Sequence, residues 1–194
     1  MLFALLNLFV QLSASIRMHR RSTVIWMTGM SGSGKSTISN LLKKKLEIDG
    51  YSVSIIDGDS VRDNDNEKLG FGFDDVRINN TRIAHMCNNE RVKYDIVIVP
   101  VISPYDIIRK EVRSVLQPNF HLIYLKTDIL SLKARDPKGL YAAADRGEIN
   151  DLIGYSDVNR YDEPHSAELV VSTESSVSLQ KSYIYILNYI NKII

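Results

Sequence analysis

The chain has 194 residues, 24 basic and 23 acidic, a formal net charge of +1 and a single cysteine, Cys87. That length suits one domain with a sizeable core. The balanced charge excludes the strongly basic footprint of bulk nucleic-acid binding, and the lone cysteine excludes an intramolecular disulfide framework or a cysteine metal site and fits a reducing compartment, with a cytoplasmic location expected.

Residues 1–17 open with an uncharged apolar run, followed by Arg17, His19, Arg20 and Arg21. The run is shorter than the ~20 residues of a membrane span, and its positive charge follows rather than precedes the apolar stretch, unlike a secretory signal. An extended start outside the core, a membrane tether and an extra packed helix are all readings of it. The first is favoured, because Met18 stands just ahead of the first strand, and membrane association is not expected. Residues 18–194 then read as one domain.

Val24–Thr28 reads as a buried strand, and a helix is expected near 35–49, ending at Asp49-Gly50. Between them stands Gly29-Met30-Ser31-Gly32-Ser33-Gly34-Lys35-Ser36, the pattern G-x-x-x-x-G-K-[ST] in the strand–loop–helix setting it requires. Glycines let successive N–H groups turn inward on phosphate oxygens, and the helix N-terminus adds partial positive charge. Gly29, Ser31, Gly32, Ser33, Gly34, Lys35, Ser36 and Thr37 are therefore the expected ATP-binding set. Lys35 reaches the β- and γ-phosphates, and the Ser36 hydroxyl is a Mg²⁺ ligand.

Val53–Ile56 is a second strand, closed by Asp57-Gly58-Asp59. Carboxylates at that strand end hold Mg²⁺ or take a proton from an attacking hydroxyl, so Ser36, Asp57 and Asp59 form the expected metal set. Arg62 suits an anionic acceptor group. A polar region spans 60–80, a helix 77–93 and a third strand 96–99, apolar on both faces and so expected to be central. A helix at 105–116 and a strand at 122–125 follow. The polar stretch 133–163 is too long for a simple connection and reads as a mobile lid. A short strand at 169–171 and a final helix with Leu179, Tyr183, Ile186, Leu187 and Ile190 on one face complete the chain. Strands alternating with helices give a three-layer α/β/α fold on a parallel five-stranded sheet, with ligands beyond the strands' C-terminal ends. His19, His85, His121 and His165 are scattered without ligand spacing, and no guanine-reading N-K-x-D run occurs.

Taken together, Gly29–Thr37, Asp57-Gly58-Asp59-Ser60-Val61-Arg62, Leu69-Gly70-Phe71, Ile102-Ser103-Pro104-Tyr105, Arg135–Tyr141 and Gly147-Glu148-Ile149 resemble the adenylylsulfate kinases over about residues 22–173. The resemblance implies a P-loop, nucleotide-kinase-like fold and Mg·ATP-dependent phosphorylation of the ribose 3′-hydroxyl of adenosine 5′-phosphosulfate, a sulfate-activating step. It implies Asp59 near that hydroxyl and Arg62, Phe71, Asn79, Ile102, Ser103 and Lys138 as acceptor contacts. Lys35, Asp59 and Ser103 form the catalytic set, although direct in-line transfer needs no phosphoryl-enzyme at Ser103. The partners implied are small nucleotide substrates and, by family habit, a second copy in a homodimer.

Four departures from the family pattern touch the acceptor side. Val76 occupies the usual arginine position and Arg77 stands one further on, a swing of about 100° on a helix; Arg77 is still expected among the substrate-binding residues, beside Arg62 and Lys138, if it reaches the pocket from there. The lid reads Ala142-Ala143-Ala144-Asp145-Arg146, with two lysines lost and the arginine displaced. Leu152-Ile153-Gly154 stands where a second aromatic face is usual, so Leu152 is the expected partner of Phe71 across the base. Pro100-Val101 precedes Ile102 in place of Ser-Phe. The donor side is intact. A kinase of another nucleotide-linked small group, such as cytidine diphosphoramidate in capsule pathways, is the alternative, and a nucleotide sensor without transfer is disfavoured by Lys35, Asp59 and Arg62.

Overall fold

The computed structural model describes residues 22–63 and 69–194; the apolar run at 1–17 lies outside the described residues. Twelve elements follow in order: β1 (Thr23–Thr28), α1 (Lys35–Ile48), β2 (Val53–Ile55), α2 (Gly58–Asp63), α3 (Phe73–Glu90), β3 (Ile96–Pro100), α4 (Asp106–Leu116), β4 (Phe120–Lys126), α5 (Ile129–Arg135), α6 (Leu140–Asp145), β5 (Leu169–Ser172) and α7 (Leu179–Ile193). The strands form one parallel sheet in the order β2-β3-β1-β4-β5.

The core follows from strand alternation. Val24, Trp26, Val97, Val99 and Leu122 face one side, where Ile83 and Cys87 of α3 and Ile108 and Val112 of α4 cover them. Ile25, Met27, Ile96, Ile98 and Ile123 face the other, under Ile38, Leu42 and Leu46 of α1 and Ile186 and Ile190 of α7. The three-layer α/β/α architecture is thus present. The central strand is β1, with β3 interior beside it, because the chain crosses from β3 over β1 to reach β4. That crossover leaves the loops after β1 and β3 diverging at the C-terminal sheet edge, where a crevice opens.

Three expectations change. The region 60–80 holds the end of α2 and the first turns of α3, which begins at Phe73 rather than 77. Leu179, expected on the buried face of the last helix, is largely exposed at its start. The stretch 133–163 contains the end of α5 and all of α6, and a third cluster of Leu132, Tyr141 and Leu152 gives it a core of its own.

Candidate active site

The loop 29–34 leaves the C-terminal end of β1 under close constraint. A Cβ on Gly29 would lie 2.7 Å from Ser33 Oγ and 2.9 Å from the Leu125 carbonyl oxygen, so only glycine lets β4 pass this close. Gly32 and Gly34 hold φ of +77° and +94°, the left-handed conformations that curl the loop around a hollow. Lys35 turns back over it, donating to the Gly29 carbonyl at 2.7 Å and the Met30 carbonyl at 2.9 Å. Burial pushes its ammonium down to about 8; the Asp59 and Asp57 carboxylates oppose this, and the Lys138 charge adds to it.

Beyond β2, Ser36 Oγ donates to Asp57 Oδ2 at 3.0 Å, and the Asp59 amide donates to Asp57 Oδ1 at 2.9 Å. The second bond starts α2 and fixes the Asp57 carboxylate beside the phosphate loop. A hydroxyl with neighbouring carboxylates is a hard oxygen set of the kind that suits Mg²⁺ on a nucleotide. Among the described residues no group of three His, Cys, Asp or Glu side chains gathers to form an all-protein metal cage. Lys138, from the turn before α6, is ion-paired with Asp59.

The residues expected at the acceptor approach from four other segments. The Arg62 guanidinium lies 4.8 Å from the Phe71 ring centroid and donates to the Leu69 and Gly70 carbonyls, and partial burial lowers its pKa against the opposing charge of Asp59. Ile102 and Ser103 form the loop after β3. Asn79, on the inward face of α3, and Ser103 are almost fully buried beside a small cavity of about 20 Å³. Asn79 Oδ1 and Ser103 Oγ have no hydrogen-bond partner among the described residues. Among the described residues no base contacts the Ser103 hydroxyl. Leu152 packs on Leu132 and Tyr141.

Most of these residues share one cleft of about 770 Å³. Gly32, Gly34, Lys35, Ser36 and Thr37 line its phosphate-loop end, and Asp59, Arg62, Phe71, Ile102, Lys138 and Leu152 line the rest. Arg77 is not among them. Its guanidinium makes a two-pronged bond to Glu111 of α4 at 2.8 and 2.9 Å, on the exposed side of α3, while Val76 is the residue turned toward the Asn79 cavity. The expectation that Arg77 contacts the acceptor is thus corrected: the one-residue shift carries the charge around the helix and away from the cleft.

Four residues escape sequence reasoning. The Tyr141 hydroxyl donates to the Ser31 carbonyl at 2.8 Å, docking α6 on the phosphate loop. Thr28, Tyr161 and Arg109 hold the loop after β3 from below. Thr28 was visible only as the end of a strand, and the partners of Tyr141 and Tyr161 lie more than a hundred residues away in sequence.

Comparison with known proteins gives a consistent picture. The family model described as adenylylsulphate kinase matches residues 21–172. Adenylyl-sulfate kinase of Bacillus licheniformis is 42% identical over 154 residues, 79% of this chain and 77% of that protein. Adenylyl-sulfate kinase of Bacillus pumilus is 38% identical over 175 residues, 90% and 87% of the two chains. The structure of the Mycobacterium tuberculosis APS kinase CysC in complex with AMPPNP and APS superposes with a TM-score of 0.77 at 30% identity, covering 88% of this chain and 98% of that one.

Proposed function

The chain belongs to the adenylylsulphate kinase family, and on that footing we infer that it transfers the γ-phosphoryl group of ATP to the ribose 3′-hydroxyl of adenosine 5′-phosphosulfate. The products are ADP and 3′-phosphoadenosine 5′-phosphosulfate. The observation that carries the reading in this chain is the single cleft, with the phosphate loop at one end and the Asp59, Arg62, Phe71 and Lys138 side chains around the rest. Donor and acceptor therefore meet in one space, as in-line transfer requires.

The side chains divide the work by position. The loop amides and Lys35 hold the triphosphate, and Lys35 exchanges its bonds to the Gly29 and Met30 carbonyls for phosphate oxygens. Ser36, Asp57 and Asp59 would hold Mg²⁺, which when bound would supply charge neutralisation at the transferring phosphate. Asp59 accepts the proton of the 3′-hydroxyl as the new O–P bond forms and the bond to the ADP oxygen breaks. Lys138 first leaves Asp59 and turns to the acceptor's charge. Arg62 and Asn79 bind the phosphosulfate, and Ile102 and Ser103 shape the wall beside it. Phe71 stacks on one base face, and Leu152 offers an apolar surface to the other. Tyr141 and the short lid helices close over the phosphate loop and exclude water, which would otherwise compete as acceptor.

Among the described residues no helix is long and apolar enough to cross a membrane. A reaction that consumes ATP fits the cytoplasm, and the assembly suggested by the family resemblance is a homodimer. A coupled ADP-release assay against adenosine phosphosulfate, cytidine diphosphate derivatives and nucleoside monophosphates tests the reading. Adenosine phosphosulfate gives the highest kcat/KM. A cytidine-linked acceptor ahead by more than tenfold overturns the assignment.

A further inference from the structure

The loop after β3 supplies Ile102 to the cleft and Ser103 to the small cavity beside Asn79; Val101, Ile102 and Tyr105 pack on the core, while Ser103 gets no such anchor from its side chain. Ser103 sits at φ +45°, a left-handed conformation that non-glycine residues avoid, and its hydroxyl bonds to nothing among the described residues. The loop is held through its carbonyls. Thr28 Oγ1 meets the Ile102 carbonyl and lies 3.3 Å from that of Ser103. Arg109 of α4, only 2% exposed, donates to the Ser103 carbonyl at 2.8 Å.

The same guanidinium reaches a second segment. It donates to the Asp162 carbonyl at 2.7 Å and to Asp106 Oδ1 at 3.3 Å. Asp162 lies where the lid returns to the sheet. Its amide donates to the Pro104 carbonyl at 2.8 Å, its carboxylate accepts from the Asp106 amide at 3.1 Å, and neighbouring Tyr161 places its hydroxyl 2.9 Å from Thr28 Oγ1. A buried arginine with one carboxylate neighbour and two backbone carbonyls is costly to maintain unless those carbonyls need a fixed position. Its planar fork spans both at once, which a lysine ammonium cannot reproduce.

We propose that Arg109 is a positioning residue for acceptor binding: it locks the Ser103 carbonyl and the lid root at Asp162 into one rigid unit. The acceptor loop keeps its strained shape only while the lid root is seated. The inference rests on the proposed reaction for its kinetic form. Arg109 touches no part of the phosphate loop, so it separates acceptor from donor binding.

Arg109→Lys is the test, measured as KM for adenosine phosphosulfate and KM for ATP, with hydrogen exchange at residues 100–105 and 159–163 as a readout that needs no turnover. The expected result is an acceptor KM raised tenfold or more, an ATP KM within twofold, and faster exchange in both segments together. In Arg109→Ala, millimolar guanidinium restores the acceptor KM and methylammonium does not. If either variant fails to fold, Tyr161→Phe carries the same comparison, with an acceptor KM raised about threefold. Equal rises in both KM values, unchanged kinetics despite a lower Tm, or exchange that rises in only one segment overturns the proposal. A wild-type enzyme inert toward adenosine phosphosulfate overturns the reaction instead, and the paired exchange pattern then decides the positioning role alone.

Discussion

Replacing Tyr141 by phenylalanine isolates the contact that docks the lid on the phosphate loop. The ring stays in place, because it packs on Leu132 and Leu152 and meets Tyr155 edge-on at 5.4 Å. Only the hydroxyl is lost, and with it the 2.8 Å bond to the buried Ser31 carbonyl. A neutral hydrogen bond contributes about 1 kcal/mol net, and stranding a buried partner raises the cost to about 1–3 kcal/mol. If the lid opens as a unit, water reaches that carbonyl on opening, so the cost falls on the closed lid and not on the sheet. The open fraction then rises roughly 5- to 150-fold, taking 1.4 kcal/mol per factor of ten. Hydrogen exchange followed by mass spectrometry reads this directly. Amides in 136–150 exchange at least fivefold faster in the variant, while those of β1, β3 and β4 are unchanged, and ATP plus acceptor restores protection. If the cost falls on the whole domain instead, exchange rises in the strands too, and Tm drops by about 2–4 °C per kcal/mol. That outcome, or lid exchange equal in both proteins, refutes the docking argument.

Lys35→Ala lowers kcat by about 10²- to 10³-fold with circular dichroism unchanged, because it removes a charge that stabilises the transferring phosphoryl group; near-normal turnover would remove the loop lysine from the mechanism. The Lys35 pKa of about 8 predicts proton uptake on nucleotide binding. At pH 8.5 roughly three-quarters of the free enzyme carries a neutral lysine, so ATP binding takes up about 0.7 proton and weakens as pH rises above 8. Titration calorimetry in two buffers of different ionisation enthalpy measures this, and zero uptake contradicts it. The sign for folding is opposite: the depressed pKa penalises the charged form, so the unliganded protein gains stability as pH rises from about 8 toward 10.5. Leu152→Phe lowers the KM for adenosine phosphosulfate about tenfold or more by giving the base a second ring, since stacking contributes about 1–3 kcal/mol; an unchanged KM places the base elsewhere.

Legibility in the sequence tracked the distance over which each feature is determined. The phosphate loop could be read because its whole pattern of glycines, lysine and serine lies within eight consecutive positions, and β1 because its apolar run faces a helical layer on each side. Helix α2 was missed because Asp57-Gly58-Asp59 reads as a turn; the Asp57 carboxylate caps the Asp59 amide and starts a helix instead. Helices α5 and α6 have seven and six residues, too few for a 3.6-residue periodicity to stand out. The Asp128 cap, accepting from the Ser131 amide at 2.8 Å, was the available signal for α5. Arg109 looked like one of many charges on an amphipathic helix. Nothing local marks that its partners are the Ser103 and Asp162 carbonyls, the latter 53 residues away.

The same contrast explains why the family pattern is intact at one end of the cleft and altered at the other. The donor end is built from one continuous loop and helix start, where glycine conformations and close backbone passage leave few alternatives. The end proposed for the acceptor is assembled from side chains of α2, α3, the loop after β3 and the segment 133–163. A substitution there changes a contact without disturbing the backbone that holds the triphosphate. Val76 fills its position on α3 with a buried apolar side chain, and Arg77 finds Glu111 on the surface, so the helix keeps its packing while the cleft loses a charge. Leu152 likewise serves the lid's own core beside Leu132 and Tyr141. In the proposed function Leu152 also faces the acceptor base, so a change to an aromatic there is expected to act on acceptor affinity and on the packing around Leu132 and Tyr141 together.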